Sequence, residues 1–175
     1  MPITALIVPV PEAEPLVSEL RQRHDPSAAE GVAAHITVLV PFKDPAKLSP
    51  HDLGELERVI GEHASFTYTM NEVQRWPQTT ALSPSLATPF IELTNAVHRA
   101  FPGYPPYGGK HAEVVPHLTV ADGSAQRAES AERELRERLS KHGPLTASCR
   151  AVELIENSSG GWRVMYVFRL ASGDA

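Results

Sequence analysis

The sequence predicts an α+β fold made of two related lobes within one domain, residues 1–175. Segments with a strand pattern and segments with a helix pattern alternate along the chain. The order strand, helix, strand, helix, strand before residue 101 returns in shortened form after residue 110, which indicates two similar halves. A chain of 175 residues is too short for two independent domains of usual size, so the lobes are expected to share one core.

The first lobe begins with a strand and a helix. Residues 3–8 are apolar and β-branched, as in a strand, and apolar side chains within residues 16–20 have helical spacing. Residues 33–40 form a second apolar run, which predicts a strand that ends at Pro41. This second strand contains the first of two repeated motifs.

The rest of the first lobe is predicted as helix, strand and helix. Ser49, followed by proline and an acidic residue, is a typical N-cap of a helix that ends at residues 61–63. Residues 66–73 alternate as a strand does. Residues 84–89 predict a loop, after which the apolar spacing predicts a helix over residues 90–100.

The second lobe follows a segment rich in proline, glycine and aromatic residues, 101–110, which suits a rigid connection or a rim. Residues 114–120 predict a strand, and residues 124–142 predict a charged helix with one apolar side. Two further alternating strands, 145–155 and 162–170, are separated by a turn-rich loop, so they are expected to pair as a hairpin.

The charge of the chain limits the class of ligand. Lys and Arg total 16 against 21 Asp and Glu, which gives a formal net charge of -5. Such a protein lacks the diffuse attraction that holds basic proteins on long duplex nucleic acid, so that partner is not expected. A small or single-stranded phosphate ligand, held in a pocket by a few aimed donors, fits this charge better.

The cysteine count and the N-terminus bear on redox chemistry and location. The single Cys149 lies in a strand pattern, which predicts a packed thiol. The N-terminus shows no basic leader, and no apolar run approaches the length that spans a membrane. The expectation is therefore a cytoplasmic protein without a membrane partner, and a monomer by default.

Two segments of the chain match in detail. They read Ala34-His35-Ile36-Thr37-Val38 and Pro116-His117-Leu118-Thr119-Val120. Because side chains alternate along a strand, each histidine shares one side of its strand with the threonine two positions later. Two such strands facing each other would place two imidazoles and two hydroxyls around one cleft.

This set of side chains suits the cleavage of a phosphodiester without a metal. A neutral imidazole can take a proton from the attacking oxygen, and an imidazolium can protonate the leaving oxygen. Both forms are accessible near neutrality, and threonine hydroxyls can donate to the phosphate oxygens. A single His-apolar-Thr segment is usually a packed histidine, but its repetition favours a shared site at His35, Thr37, His117 and Thr119.

The motifs resemble those of the two-histidine (2H) phosphoesterase superfamily, in particular its 2'-5' RNA ligase branch. Residues 35–42 are similar to the first family motif and residues 116–121 to the second, and residues 74–77 and 162–170 occupy the places of similar family segments. The resemblance covers nearly the whole chain. The paired motifs are specific to the family, whereas the flanking similarities are weak.

The resemblance implies two pseudo-symmetric lobes with antiparallel sheets around a central cleft, helices on the outside, and no cofactor. It further implies cleavage or formation of 2'-linked phosphodiesters in a nucleotide or a short RNA end, with catalytic roles for His35, Thr37, His117 and Thr119. Asp122 stands where RNA ligase members often carry a basic residue. Because of this difference, a smaller cyclic phosphodiester remains an alternative substrate.

Four further residues are predicted to bind substrate. Arg75 offers a forked donor for a phosphate, and Trp76 and Phe42 offer aromatic faces for a base, although each also suits a packing role. Tyr107 belongs to a rim with aromatic and basic side chains that precedes the second motif. The other rim candidates are Tyr104, Lys110 and His111.

Two alternatives remain open from the residues. The pocket could bind a nucleotide or an RNA end without turnover, because fold likeness alone does not fix function. It could also hold zinc through His35, His117 and His111, although threonines occupy the neighbouring positions on the same face. The sequence contains neither a P-loop nor a Cys pair nor a His-Glu-x-x-His helix, so neither ATP nor a metal is expected.

Overall fold

Two four-stranded antiparallel sheets frame the molecule in the computed structural model, which describes residues 1–173. The described strands are β1 (Thr4–Pro9), β2 (His35–Leu39), β3 (Phe66–Trp76), β4 (Thr79–Pro84), β5 (Leu118–Ala121), β6 (Leu145–Cys149), β7 (Ala151–Glu156) and β8 (Arg163–Arg169). The first sheet has the order β2-β1-β7-β8 and the second the order β5-β4-β3-β6. The α+β fold with two antiparallel sheets is therefore confirmed.

Helices cover one face of each sheet. The described α-helices are α1 (Glu14–His24), α2 (Pro26–Ala29), α3 (Pro50–Gly61), α4 (Thr88–Ala100) and α5 (Ala125–His142), with short 3-10 turns at Pro11–Ala13, Pro45–Lys47 and Pro106–Gly109. Helices α1 and α5 contact each other and the second sheet, whereas α3 and α4 contact each other and the first sheet. Within residues 1–173, no helix is both long and apolar enough to cross a membrane.

The two motif strands occupy equivalent places. β2 lies at one edge of the first sheet and β5 at one edge of the second, and the two strands lie against each other. Their apolar residues, such as Ile36 and Leu118, are fully buried in the core. Side chains alternate along a strand, so His35, Thr37 and Thr119 are on the opposite face, away from that core. His117 directly precedes β5, because the strand predicted over residues 114–120 begins only at Leu118.

Local signals explain the first-lobe helix that follows the motif. Ser49 accepts a hydrogen bond from the Asp52 backbone N–H at 3.1 Å, and the Asp52 carboxylate accepts one from the Ser49 backbone N–H at 2.9 Å. This reciprocal capping box fixes the start of α3, and Lys43 pairs with the same carboxylate at 2.6 Å. The predicted N-cap is confirmed.

Two predictions about strands need correction. The segment predicted as one strand, 145–155, is divided at Arg150 into β6, which pairs with β3, and β7, which pairs with β1. Apolar alternation continues across the division, so the pattern does not reveal that the chain changes sheets. The hairpin is correct for β7 and β8. The sequence prediction also omits β4, which pairs with both β3 and β5.

Cys149 ends β6 and is buried as a free thiol, as predicted. Burial raises the pKa of this thiol to about 12, because a thiolate is unfavourable in an apolar surrounding. The side chain therefore serves packing.

Candidate active site

Both motif histidines are held in the same way by the backbone. The His35 ring Nδ1 lies 2.8 Å from the carbonyl oxygen of Ala33, and the His117 ring Nδ1 lies 2.7 Å from that of Val115. A carbonyl oxygen can only accept, so each Nδ1 must carry a proton and donate. The neutral ring then has its free lone pair on Nε2, the atom available for proton transfer in both lobes.

Burial favours the neutral form of both rings. It lowers the pKa of His35 below its usual value of 6.5, although the hydrogen bond to Ala33 partly opposes this shift. Burial also lowers the pKa of His117, with the hydrogen bond to Val115 and the charge of Asp122 acting in the opposite direction. Both rings are therefore shifted toward the neutral form.

A cavity of about 360 Å³ opens beside His117. Its lining contains Trp76, Thr79, Tyr107, His111, Glu113, Val115 and His117. The Trp76 and His117 rings meet edge to face, with ring centroids 5.1 Å apart. The volume is in the range of pockets that hold small ligands, and aromatic side chains form much of the wall.

Tyr107 connects this cavity to the first motif. Burial raises the pKa of the Tyr107 hydroxyl, and the nearby Thr37 side chain opposes this shift. The Tyr107 backbone has φ +53°, a left-handed conformation that costs a residue other than glycine roughly 1–3 kcal/mol. The ring also meets His111 at 5.5 Å. The surrounding contacts thus hold Tyr107 between the two lobes.

Comparison with known proteins identifies the family. The family model described as the 2'-5' RNA ligase superfamily matches residues 9–161. The chain belongs to the 2'-5' RNA ligase superfamily. Both motifs lie within the matched residues, and membership gives the chain the coarse function of a phosphoesterase- or RNA ligase-like enzyme.

Solved structures agree with this family in fold. E. coli LigT complexed with 3'-AMP has 15% sequence identity and a TM-score of 0.62, over 97% of this chain and 99% of that chain. TT0787 of Thermus thermophilus has 17% identity and a TM-score of 0.65, over 98% of this chain and 100% of that chain. A search of curated protein sequences gives no match. At these identities the structures establish the shared fold.

In this member of the 2'-5' RNA ligase superfamily, Phe42 does not reach the cleft. The side chain is 3% exposed, and its ring meets Phe101 and Tyr104 edge to face, with both centroid distances 5.1 Å. A ring enclosed in this way has no free face for a base. The prediction that Phe42 binds substrate is therefore corrected, and the rim candidate Tyr104 belongs to the same packing.

Arg75 and Trp76 point in opposite directions, as strand alternation requires. The Arg75 guanidinium pairs with Glu132 of α5 at 2.9 Å and donates to the carbonyl oxygens of Trp76 at 2.9 Å and Ala125 at 3.4 Å. It thereby fastens α5 to the sheet, which corrects the prediction that Arg75 binds a substrate phosphate. Trp76 lines the cavity, so its predicted contact with substrate fits its position.

Of the charged groups beside the two histidines, sequence reasoning singled out only Asp122. Arg21 is 2% exposed and pairs with Asp25 at 3.0 Å near His35, while Thr79 donates to Asp122 at 2.6 Å near His117. Neither the pair Arg21 and Asp25 nor the pair Thr79 and Asp122 forms a sequence motif that would reveal it. Only the unusual residue at 122 gave a signal in the sequence.

The zinc alternative has no ligand set in the described chain. Within residues 1–173, no three or more His, Cys, Asp or Glu side chains are grouped so that they could hold a metal ion. His111 does line the cavity with His117. His111 is therefore part of the cavity wall and does not belong to a group of metal ligands within the described residues.

Proposed function

We propose that the protein is a phosphoesterase that acts on 2',3'-cyclic or 2'-5' phosphodiesters of nucleotides or short RNA ends, without a metal. The observation that carries this proposal is the repeated hydrogen bond from Nδ1 of each motif histidine to a backbone carbonyl. It leaves one Nε2 in each lobe for proton transfer. A threonine lies two residues after each histidine, Thr37 in β2 and Thr119 in β5.

For a 2',3'-cyclic phosphate, the reaction is a substitution at phosphorus by water. One histidine takes a proton from water as its oxygen forms a bond to phosphorus, and the other donates a proton to the ribose oxygen as its bond to phosphorus breaks. The product is a phosphate monoester and a free ribose hydroxyl. Thr37 and Thr119 donate to the nonbridging oxygens, where negative charge is concentrated.

The size and lining of the site support a nucleotide ligand. The cavity of about 360 Å³ has Trp76 and Tyr107 as flat walls, and aromatic faces stack on bases. The related E. coli LigT structures are described as complexes with 3'-AMP, NADP+ and ATP. Those are ligands of that protein, and they indicate that this fold accommodates nucleotides.

The test is product analysis with defined substrates. The purified protein is incubated, with chelator present, with each 2',3'-cyclic nucleotide and with a 2'-5' dinucleotide, and the products are separated by chromatography. We expect a single monophosphate isomer from each cyclic nucleotide. His35→Ala and His117→Ala should each abolish most of this activity, whereas His51→Ala, at an exposed position of α3, is the matched control.

Two outcomes would overturn the proposal. Full activity in both motif variants would show that the histidines do not transfer the protons. Tight nucleotide binding with no product after long incubation would favour the alternative, a binding module without turnover.

A further inference from the structure

A second cavity lies on the cleft side of the first sheet, outside the site described above. Its volume is about 280 Å³, and its walls include Ile7, Val32, Ile155, Trp162 and Glu153. Apart from Trp162 and Glu153, these side chains are buried apolar residues. Arg163 also lines the cavity and is paired with Glu156, so the cavity has an apolar floor, one indole, one carboxylate and one guanidinium.

The cavity lies on the same face of the first sheet as the first motif. Ile7 pairs with Thr37 on β2 and with Glu153 on β7. Directly opposed residues in an antiparallel sheet share a face, so all three side chains stand in one row. Two strand spacings separate Thr37 from Glu153, a distance of roughly 10 Å. A ligand with its phosphate at Thr37 can therefore extend into this cavity.

The indole of Trp162 is held in place before any ligand arrives. Its Nε1 donates to the Glu30 carboxylate at 3.1 Å, and its backbone N–H donates to the Glu30 carbonyl oxygen at 2.8 Å. One contact holds the indole and the other holds the backbone of the same residue, which lowers the entropy lost when a flat ligand stacks on the ring. Trp162 thus has the properties of a stacking platform.

Glu153 is unusual among the carboxylates of this region. It is half-buried, and within residues 1–173 it has neither a hydrogen-bond partner nor an ion-pair partner, whereas the neighbouring Glu156 contacts both Ser158 and Arg163. Burial also raises the pKa of Glu153. The carboxylate therefore has free acceptor positions at the cavity wall, which a ligand with N–H donors can occupy.

We propose that this cavity is a second base subsite, in which a guanine stacks on Trp162 and donates two adjacent N–H groups to the Glu153 carboxylate. An ionised carboxylate only accepts hydrogen bonds, and the Watson–Crick edge of guanine carries neighbouring donors at N1 and N2. The inference rests on the proposed function and narrows its substrate class. The substrate is a phosphodiester between two nucleosides, with one base at Trp76 and a guanine at Trp162.

The two tryptophans of the chain allow each subsite to be observed separately. Trp76→Phe leaves Trp162 as the only indole, and Trp162→Phe leaves Trp76. Guanosine and adenosine 5'-monophosphates are titrated into both variants while tryptophan emission is recorded. In Trp76→Phe we expect a saturable change with the guanosine nucleotide and a change at least several-fold weaker with the adenosine nucleotide.

Glu153→Gln tests the carboxylate in the Trp76→Phe background. The change should weaken binding of guanosine monophosphate roughly tenfold, the range for a lost hydrogen bond to a charged group. Glu57→Gln, on the exposed side of α3, is the matched control and should leave this binding as it was. Equal affinities for both nucleotides, or no effect of Glu153→Gln, would overturn the assignment of guanine to Glu153.

The fluorescence titrations and the activity measurements separate the two proposals. If cyclic nucleotides are hydrolysed but Trp162 emission does not respond to guanosine monophosphate, the second subsite is wrong and the proposed function stands. If Trp162 responds but no phosphodiester is cleaved, the subsite stands and the proposed function fails. In the active protein, Glu153→Gln should lower kcat/KM for a 2'-5' guanosine dinucleotide relative to that for a cyclic mononucleotide.

Discussion

The two lobes carry the same motif on walls of different chemistry. On the first sheet, the row of side chains that contains Thr37 continues through Ile7, which is 3% exposed in an apolar cluster, to the carboxylate of Glu153. On the second sheet, the row that contains Thr119 continues through the buried Ala81 to the neutral amide of Gln74, which accepts a hydrogen bond from Ser83 at 3.4 Å. The motif repeat gives a symmetric centre, and the walls decide how an asymmetric substrate lies across it.

The charges behind the two histidines also differ. Burial lowers the pKa of both rings, but at His35 the next charge is Arg21, which lowers the pKa further, and Asp25 opposes it less strongly. At His117 the charge with the largest effect is that of Asp122, which raises the pKa, and His111 opposes it less strongly. We therefore infer that His35 is the general base and His117 the general acid in the hydrolytic direction.

The largest effect is expected from removing the histidines one at a time. His35→Ala and His117→Ala should each lower kcat/KM for a 2',3'-cyclic nucleotide by roughly 100- to 10,000-fold, the usual contribution of general acid–base catalysis. If His35 is the base, the residual activity of His35→Ala should no longer fall at low pH. If His117 is the acid, the residual activity of His117→Ala should no longer fall at high pH. If each variant instead lost the limb expected for the other variant, the roles of the two histidines would be reversed.

The threonines test whether the phosphate site itself is symmetric. Thr37→Val and Thr119→Val keep the β-branched shape that suits a strand but remove the hydroxyl donor. Each should lower kcat/KM roughly 100-fold, the scale for one lost donor to a charged transition state. Thr67→Val, at an exposed position of β3, is the control. A large effect at only one threonine would show that the phosphate is held by one lobe.

The ion pair behind His35 is buried, and its removal should cost more stability than removal of an exposed ion pair on the same helix. Arg21 and Asp25 are 2% and 4% exposed, so Arg21→Ala leaves a buried carboxylate without its cation and should lower the free energy of unfolding by about 3–5 kcal/mol. Arg23→Ala removes an exposed pair with Glu134 and should cost at most about 1 kcal/mol. Denaturant unfolding of both variants measures the contrast, and equal losses would contradict it.

The sequence was sufficient for the symmetric part of the molecule. The motif repeat predicts both strands, and alternation places Ile36 and Leu118 in the core, where they are fully buried. Ser49 predicts the start of α3 because a capping box is a local signal. Features of this kind depend on residues that are near each other in the chain.

The asymmetric part depends on contacts between distant residues, which a single sequence does not reveal. Phe42 is buried because Phe101 encloses it, and Arg75 faces α5 because Glu132 lies there. Arg150 divides one predicted strand between two sheets, although the apolar pattern continues through it. The walls of the cleft, which distinguish the two lobes, are therefore the part that required a structure.

The smallest effect is expected from Asp122, which sets the charge beside the proposed acid. Asp122→Asn removes a negative charge that raises the pKa of His117, so that pKa should fall further below 6.5. The protonated acid is then lost at a lower pH, and the alkaline limb of kcat/KM should move to lower pH while the acid limb stays in place. Asp122 is exposed, so the shift should shrink as salt is added.

Thr79→Val is the control for this prediction, because it removes the hydroxyl that donates to Asp122 at 2.6 Å but keeps the carboxylate charge. If the alkaline limb moved equally in both variants, the position of the Asp122 carboxylate rather than its charge would explain the effect. If the acid limb moved instead, His117 would be the base.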